Sequence, residues 1–291
     1  MSPSGARGLD EAAIVRARAA LAAAGTARWL APDEAADIPF TPSAGEDQRA
    51  LADAVRDAVG TPVDVVVQPL ANRRKRLFVA DMDSTMIGQE CIDELADYVG
   101  LKPHVAEITE RAMRGEIAFE PALRARVALL KGLAETVVDD VIRHRITLTP
   151  GGRALVATMR AHGAYTCLVS GGFTVFTGRV AAMIGFDENR GNVLMVEGDR
   201  LSGAVEEPIL GSAAKLETLH QLRTRLGLTP AETLAIGDGA NDIPMLEAAG
   251  LGVAFHAKPK VAAAAQARID HCDLSALLYM QGYRREDFVL P

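Results

Sequence analysis

From Leu77 onward the chain alternates short, almost wholly apolar runs with longer segments of helical period. Leu77 to Ala80, Thr166 to Ser170, Thr233 to Gly237 and Leu251 to Phe255 read as strands with no solvent face. Strands of this kind separated by helical segments predict a parallel, doubly wound α/β sheet. Residues 88–147 interrupt the alternation. Gln89 to Val99, Val105 to Arg114, Phe119 to Leu129 and Val137 to Arg145 are helix candidates, punctuated by Gly100, Gly115, Gly132 and Pro150. A crossover between parallel strands needs only about a dozen residues, so this stretch predicts a helical cap inserted directly after the first strand. Val193 to Ile209, with the turn-like Glu197-Gly198-Asp199-Arg200, predicts a hairpin beside the sheet.

Upstream the pattern changes. Residues 10–24 and 46–59 read as amphipathic, alanine-rich helices, Pro32 to Pro42 as a loop, and Pro62 to Val67 as a strand. They predict a small N-terminal α+β unit over residues 1–75, ahead of a core over 76–291. The Ser-, Gly- and Pro-bearing start, Met1 to Gly8, is expected to be disordered. That leaves the unit without a convincing first strand.

Composition narrows the class. With 291 residues, 49% of them hydrophobic, the chain can bury a sizeable core. A net charge of −7 argues against a nucleic-acid surface. The basic run Arg73 to Arg76 immediately precedes a strand and reads as a solvated linker. Cys91, Cys167 and Cys272 are scattered, without ligand spacing, which suggests a reducing compartment and no disulfides. No segment approaches the roughly 18 apolar residues of a membrane span. Ala19 to Ala24, after Arg16 and Arg18, is too short and too helical for a signal peptide. A cytoplasmic protein with neither membrane nor nucleic-acid partners is expected.

Candidate chemistry sits at the strand ends. Asp81 falls where the first buried strand stops, and Asp83 follows it in Asp81-Met82-Asp83-Ser84-Thr85. Open α/β sheets bind ligands at that edge, and a divalent cation would offset the repulsion of two such acids. An Asx turn or a helix N-cap explains the same residues equally well. Ser170-Gly171-Gly172 offers a hydroxyl and open N–H groups to a phosphate, though generic turns share the pattern. Lys215, near the start of a helix, could neutralise phosphate charge or lie on the surface. Gly237-Asp238-Gly239-Ala240-Asn241-Asp242 places two acids, suited to magnesium, after a third buried strand.

In this order and spacing, the four segments resemble the haloacid dehalogenase superfamily of phosphohydrolases, and within it the phosphoserine phosphatase family. The likeness runs from Arg76 to Tyr283 and includes the closing Leu277 to Tyr283. It implies Asp81 as nucleophile and Asp83 as general acid and then base. It also implies magnesium on Asp81, the main-chain carbonyl of Asp83 and Asp238, with Asp242 in support. Lys215, Ser170 and the Gly171 N–H would stabilise the phosphoryl oxygens. Glu90 and Arg126 match the positions at which the family holds the ammonium and carboxylate of phosphoserine; read alone, each is an ordinary helix charge. Met113 and Phe119 would be apolar walls, and Asn241 a further substrate contact.

The N-terminal unit departs from the family pattern and resembles a shortened amino-acid-sensing or ferredoxin-like domain. Packing or homodimer formation is as compatible with it as regulation by serine. The activity implied is the last step of serine synthesis. The alternatives are a phosphatase or phosphotransferase for another small ester, such as phosphohomoserine or histidinol phosphate, and a non-catalytic phosphate sensor. Intact Asp81 and Asp83 argue against the sensor. An ion pump using the same chemistry lacks its spanning helices.

Overall fold

In a computed structural model, which describes residues 1–2 and 9–290, the N-terminal unit has an apolar core of its own around Ile14, Leu51 and Val55. Its elements are α1 (Glu11–Ala19), the antiparallel pair β1 (Arg28–Ala31) and β2 (Ala35–Asp37), and α2 (Gln48–Val59). Asp10 caps α1 by accepting from the Ala13 N–H at 2.7 Å, and Asp47 caps α2. The first helix stops at Ala19 rather than at residue 24. The chain turns at Ala23 (φ 46°) and returns Trp29 to α1, where its indole N–H donates to Glu11 at 3.2 Å.

One further expectation for this unit fails. The supposed loop at Pro32 to Pro42 contains β2, turned from β1 at Asp33 (φ 60°). Among the described residues Pro62 to Val67 joins no ladder; Asp64 donates its N–H to the Met1 carbonyl at 2.8 Å and receives the Met1 ammonium on its own. Of the start expected to be disordered, Met1 and Ser2 are packed in this way, with Ser2 N–H on Glu34 O at 2.8 Å. Residues 3–8 lie outside those described. The buried Asp64 carboxylate also ties the unit to the core, accepting the N–H groups of Asp270 and Cys272, each at 2.8 Å.

The core opens with β3 (Leu77–Ala80), followed by four inserted helices: α3 (Cys91–Asp97), α4 (Lys102–Met113), α5 (Phe119–Ala128) and α6 (Val137–His144). Then come α7 (Gly152–Ala161), β4 (Tyr165–Phe173), α8 (Thr174–Ile184) and β5 (Glu188–Asn192), and the hairpin β6 (Leu194–Glu197) and β7 (Arg200–Val205). The chain closes with α9 (Ser212–Arg225), β8 (Thr233–Gly237), α10 (Ile243–Ala248), β9 (Leu251–Phe255), α11 (Pro259–Ala264), β10 (Ala267–Ile269) and α12 (Ala276–Met280).

Six strands make one parallel sheet in the order β10-β9-β8-β3-β4-β5. Both faces are buried, which is why the strands read as continuous apolar runs. Phe78 and Ala80 face the layer containing Leu155, Val156 and Phe176; Leu77 and Val79 face the one containing Leu219, Leu222 and Met245. Each such large side chain contributes about 1.5–3 kcal/mol by leaving water. The strand expected to end at Ser170 continues to Phe173. The hairpin is also placed differently from expectation. It forms a separate sheet docked on the inserted helices, with Gly132 N–H on Leu201 O and Leu201 N–H on Leu133 O, at 2.8 and 2.9 Å.

Candidate active site

The carboxyl ends of β3, β4 and β8 meet at the middle of the sheet. The Asp81 N–H donates to Ile236 O at 3.0 Å, so the ladder between β3 and β8 delivers its side chain to the edge. A tight turn over 82–86 follows, closed by Ile87 N–H on Met82 O at 3.1 Å, with Ser84 in a left-handed conformation (φ 54°). The turn brings Asp83 back beside β4. One of its oxygens accepts the Cys91 N–H at 2.9 Å, the other the Ser170 hydroxyl at 3.1 Å. Ser170 Oγ in turn accepts the Gly172 N–H at 2.8 Å.

Beneath this pair lies a second set of charges. Lys215, fully buried in the first turn of α9, places Nζ 2.6 Å from Asp81 Oδ1 and 2.6 Å from Asp242 Oδ1. Carboxylate oxygens of Asp81, Asp238 and Asp242 lie within 4.8 Å of one another, all three buried. Burial, then the charge of Asp242, pushes Asp81 well above the ordinary aspartate range, with Lys215 opposing. The same two causes push Asp238 up to about 7. Burial alone would lower Lys215; Asp242 and Asp81 outweigh it and hold the ammonium above its usual value. Three buried acids facing one lysine leave uncompensated negative charge, and their hard oxygen donors fit a divalent cation such as magnesium.

Above these groups is a cavity of about 210 Å³ lined by both layers of the fold. Asp81, Asp83, Ser170 and Gly171 form its floor, and Glu90, Arg126, Met113 and Phe119 come from the inserted helices and the turn before them. Glu90 accepts the Ser84 hydroxyl at 2.6 Å; burial, with the charges of Asp83 and Asp238 adding, raises it well above its usual value. Gly171 approaches Phe119 so closely that a Cβ there would lie 2.6 Å from the ring. Asn241 also lines the cavity, and its buried amide oxygen has no partner among the described residues. The walls are tied to the core by Lys258 and Glu110 at 3.0 Å and by the pair Arg124 and Glu207.

Comparison with known proteins agrees with this arrangement. The haloacid dehalogenase-like hydrolase family matches residues 78–247. A phosphoserine phosphatase of Streptomyces coelicolor is 44% identical over 230 residues, spanning 79% of this chain but 56% of the relative's own length. That of Albidiferax ferrireducens is 45% identical over 226 residues, spanning 76% of this chain and 95% of the relative. The chain belongs to the phosphoserine phosphatase family of haloacid dehalogenase-like hydrolases. A solved phosphoserine phosphatase carrying an analogue of its phospho-aspartyl intermediate superposes with a TM-score of 0.68 at 38% identity, covering 71% of this chain and 98% of that one.

Within this phosphoserine phosphatase frame, the residues singled out from sequence converge. Asp81, Asp83, Glu90, Arg126, Ser170, Gly171 and Asn241 line one cavity, with Lys215 and Asp238 in the shell around it. The carboxylate cluster is made by Asp81, Asp238 and Asp242, without the Asp83 side chain. The Asp83 side chain is held by Cys91 and Ser170, leaving its main-chain carbonyl as the group the family resemblance assigns to the metal. Sequence reading missed Thr109 and Asp93. Arg126 donates from Nη1 to Thr109 Oγ at 2.9 Å, and Thr109 lies 2.7 Å from Asp93 Oδ1. Both are polar positions within helices, and nothing in their spacing distinguishes them from solvated ones.

Proposed function

We propose that this chain hydrolyses L-phosphoserine to L-serine and phosphate through a phosphorylated Asp81, with magnesium as its metal, and so performs the last step of serine synthesis. One observation carries the reading: a single small cavity joins two carboxylates and a phosphate cradle at its floor to one acid, Glu90, and one base, Arg126, in its walls. Phosphoserine has the matching groups: a phosphate, an ammonium and a carboxylate. The unpartnered Asn241 oxygen is an acceptor that an ammonium satisfies.

In the first step an Asp81 oxygen attacks phosphorus in line and the bond from phosphorus to the serine oxygen breaks. Asp83, raised by burial and so suited to carry a proton, delivers it to that oxygen. In the second step Asp83 takes a proton from water as the water oxygen bonds to phosphorus. The bond to Asp81 then breaks and both carboxyl groups return to their starting states. Ser170, the Gly171 N–H and Lys215 receive the phosphoryl oxygens throughout. Magnesium, on Asp81, Asp238 and the Asp83 carbonyl with Asp242 in support, would supply positive charge against those oxygens.

The test is phosphate release from L-phosphoserine, with magnesium and then with chelator, against a panel of small phosphate esters. A strong, magnesium-dependent preference for L-phosphoserine is expected. Preference for another ester would overturn the roles of Glu90 and Arg126, and release from none would overturn catalysis itself.

A further inference from the structure

Arg126 is buried on α5, yet it forms no ion pair with a carboxylate among the described residues. A buried guanidinium without a direct counter-ion needs another means of being held. We propose that Thr109, backed by Asp93, is a positioning device that sets the Arg126 guanidinium to receive the carboxylate of the substrate. The inference rests on the reading of Arg126 given above.

Hydrogen-bond direction carries the argument. Arginine can only donate, so at 2.9 Å the Thr109 oxygen accepts from Nη1. The hydroxyl proton then has two acceptors, Asp93 Oδ1 at 2.7 Å and the Val105 carbonyl at 3.0 Å. The Asp93 oxygen is the nearer acceptor; burial raises this carboxyl group, and the Thr109 hydrogen bond and the Arg126 charge oppose that rise. The result is a directed chain from Arg126 N–H through Thr109 O–H to the Asp93 carboxylate, linking α5, α4 and α3. On its other edge Arg126 donates from Nε to the Ala122 carbonyl at 3.1 Å. Two anchors on different edges fix the guanidinium plane. Nη2 has no hydrogen-bond partner among the described residues, so the end of the guanidinium fork keeps a donor open to a carboxylate.

The interposed hydroxyl has a further consequence. A carboxylate bonded directly to Arg126 would compete with the substrate for that fork. Placing Asp93 behind Thr109 keeps negative charge near the guanidinium while the fork stays open. The bland alternative is a helix threonine satisfied by the carbonyl of Val105, four residues earlier, as such residues often are. The two readings differ in what they predict for substrate discrimination.

The experiment compares Thr109→Val and Thr109→Ser on L-phosphoserine and on O-phosphoethanolamine, which keeps the phosphate and ammonium but has no carboxylate. In Thr109→Val, KM for L-phosphoserine should rise, and its kcat/KM advantage over O-phosphoethanolamine should fall about 10- to 100-fold, the worth of a hydrogen bond to a charged group. Thr109→Ser should keep most of the advantage. If Thr109→Val does not fold, Asp93→Asn, which removes the charge and one acceptor oxygen at nearly constant size, should lower the same ratio. An advantage retained in Thr109→Val, or equal losses on both esters, would sink the inference alone. A wild type with no advantage for L-phosphoserine would sink the phosphoserine reading and this inference with it.

Discussion

Replacing Lys215 by Met removes the ammonium that bonds Asp81 and Asp242 while keeping the length of the side chain. At 2.6 Å each attraction is roughly 6 kcal/mol in an effective dielectric of about 20. Desolvation offsets part of it, and breaking a buried pair costs about 3–5 kcal/mol net. The loss has a ceiling, because a stranded carboxylate can take a proton instead. For an ordinary aspartate that costs about 5.6 kcal/mol at pH 8 and about 1.5 kcal/mol at pH 5. Lys215 is held above its usual value, so in the wild type its ammonium is charged at both pH values, while Asp81, raised by burial, takes up protons toward pH 5 and weakens the pair there. In chelator, Lys215→Met should therefore lose about 3–5 kcal/mol at pH 8 and roughly 1.5–3 kcal/mol at pH 5. Urea unfolding followed by far-ultraviolet circular dichroism measures both. Equal losses at the two pH values, or less than about 1 kcal/mol at pH 8, would refute the reasoning, since an exposed pair behaves in that way.

Further outcomes follow from the same geometry. Burial raises Asp238 to about 7, so in the metal-free protein its contribution is present at low pH and is lost as pH rises through about 7. Magnesium, which displaces that proton, should raise Tm more at pH 8 than at pH 6, and equal shifts would contradict the assignment. Asp83→Asn should lower kcat on L-phosphoserine by about 10²–10⁴ yet spare first-turnover release of p-nitrophenol, a leaving group that needs no proton; equal losses would remove Asp83 as the acid. Gly171→Ala sets a methyl 2.6 Å from Phe119 and should destabilise by about 1–3 kcal/mol, with Phe119→Leu recovering part of it in the double variant. Thermal unfolding of the pair against the single variants checks this.

The legible parts of the fold were those with a one-dimensional signature. β3, β8 and β9 are buried on both faces, so their apolar runs stand out, and the catalytic candidates follow directly after β3 and β8 and fall in the last residues of β4. β5, Glu188-Asn189-Arg190-Gly191-Asn192, is an edge strand with no apolar residue and gives no such signal. The hairpin was recognised but misplaced, because Leu194, Leu201 and Val205 are apolar whichever layer they meet. In the site, residues with motif spacing were found, whereas Thr109 and Asp93 act through Arg126 and became visible only when three helices were seen together.

The most direct test of the central claim is to quench the enzyme in acid during turnover of L-phosphoserine and locate any bound phosphoryl group by peptide mass spectrometry. The account predicts an acid-stable, hydroxylamine-labile phosphate on the peptide bearing Asp81, absent from Asp81→Asn, which should also be inactive. Turnover in Asp81→Asn, or a phosphoryl group found on any other residue, would contradict it.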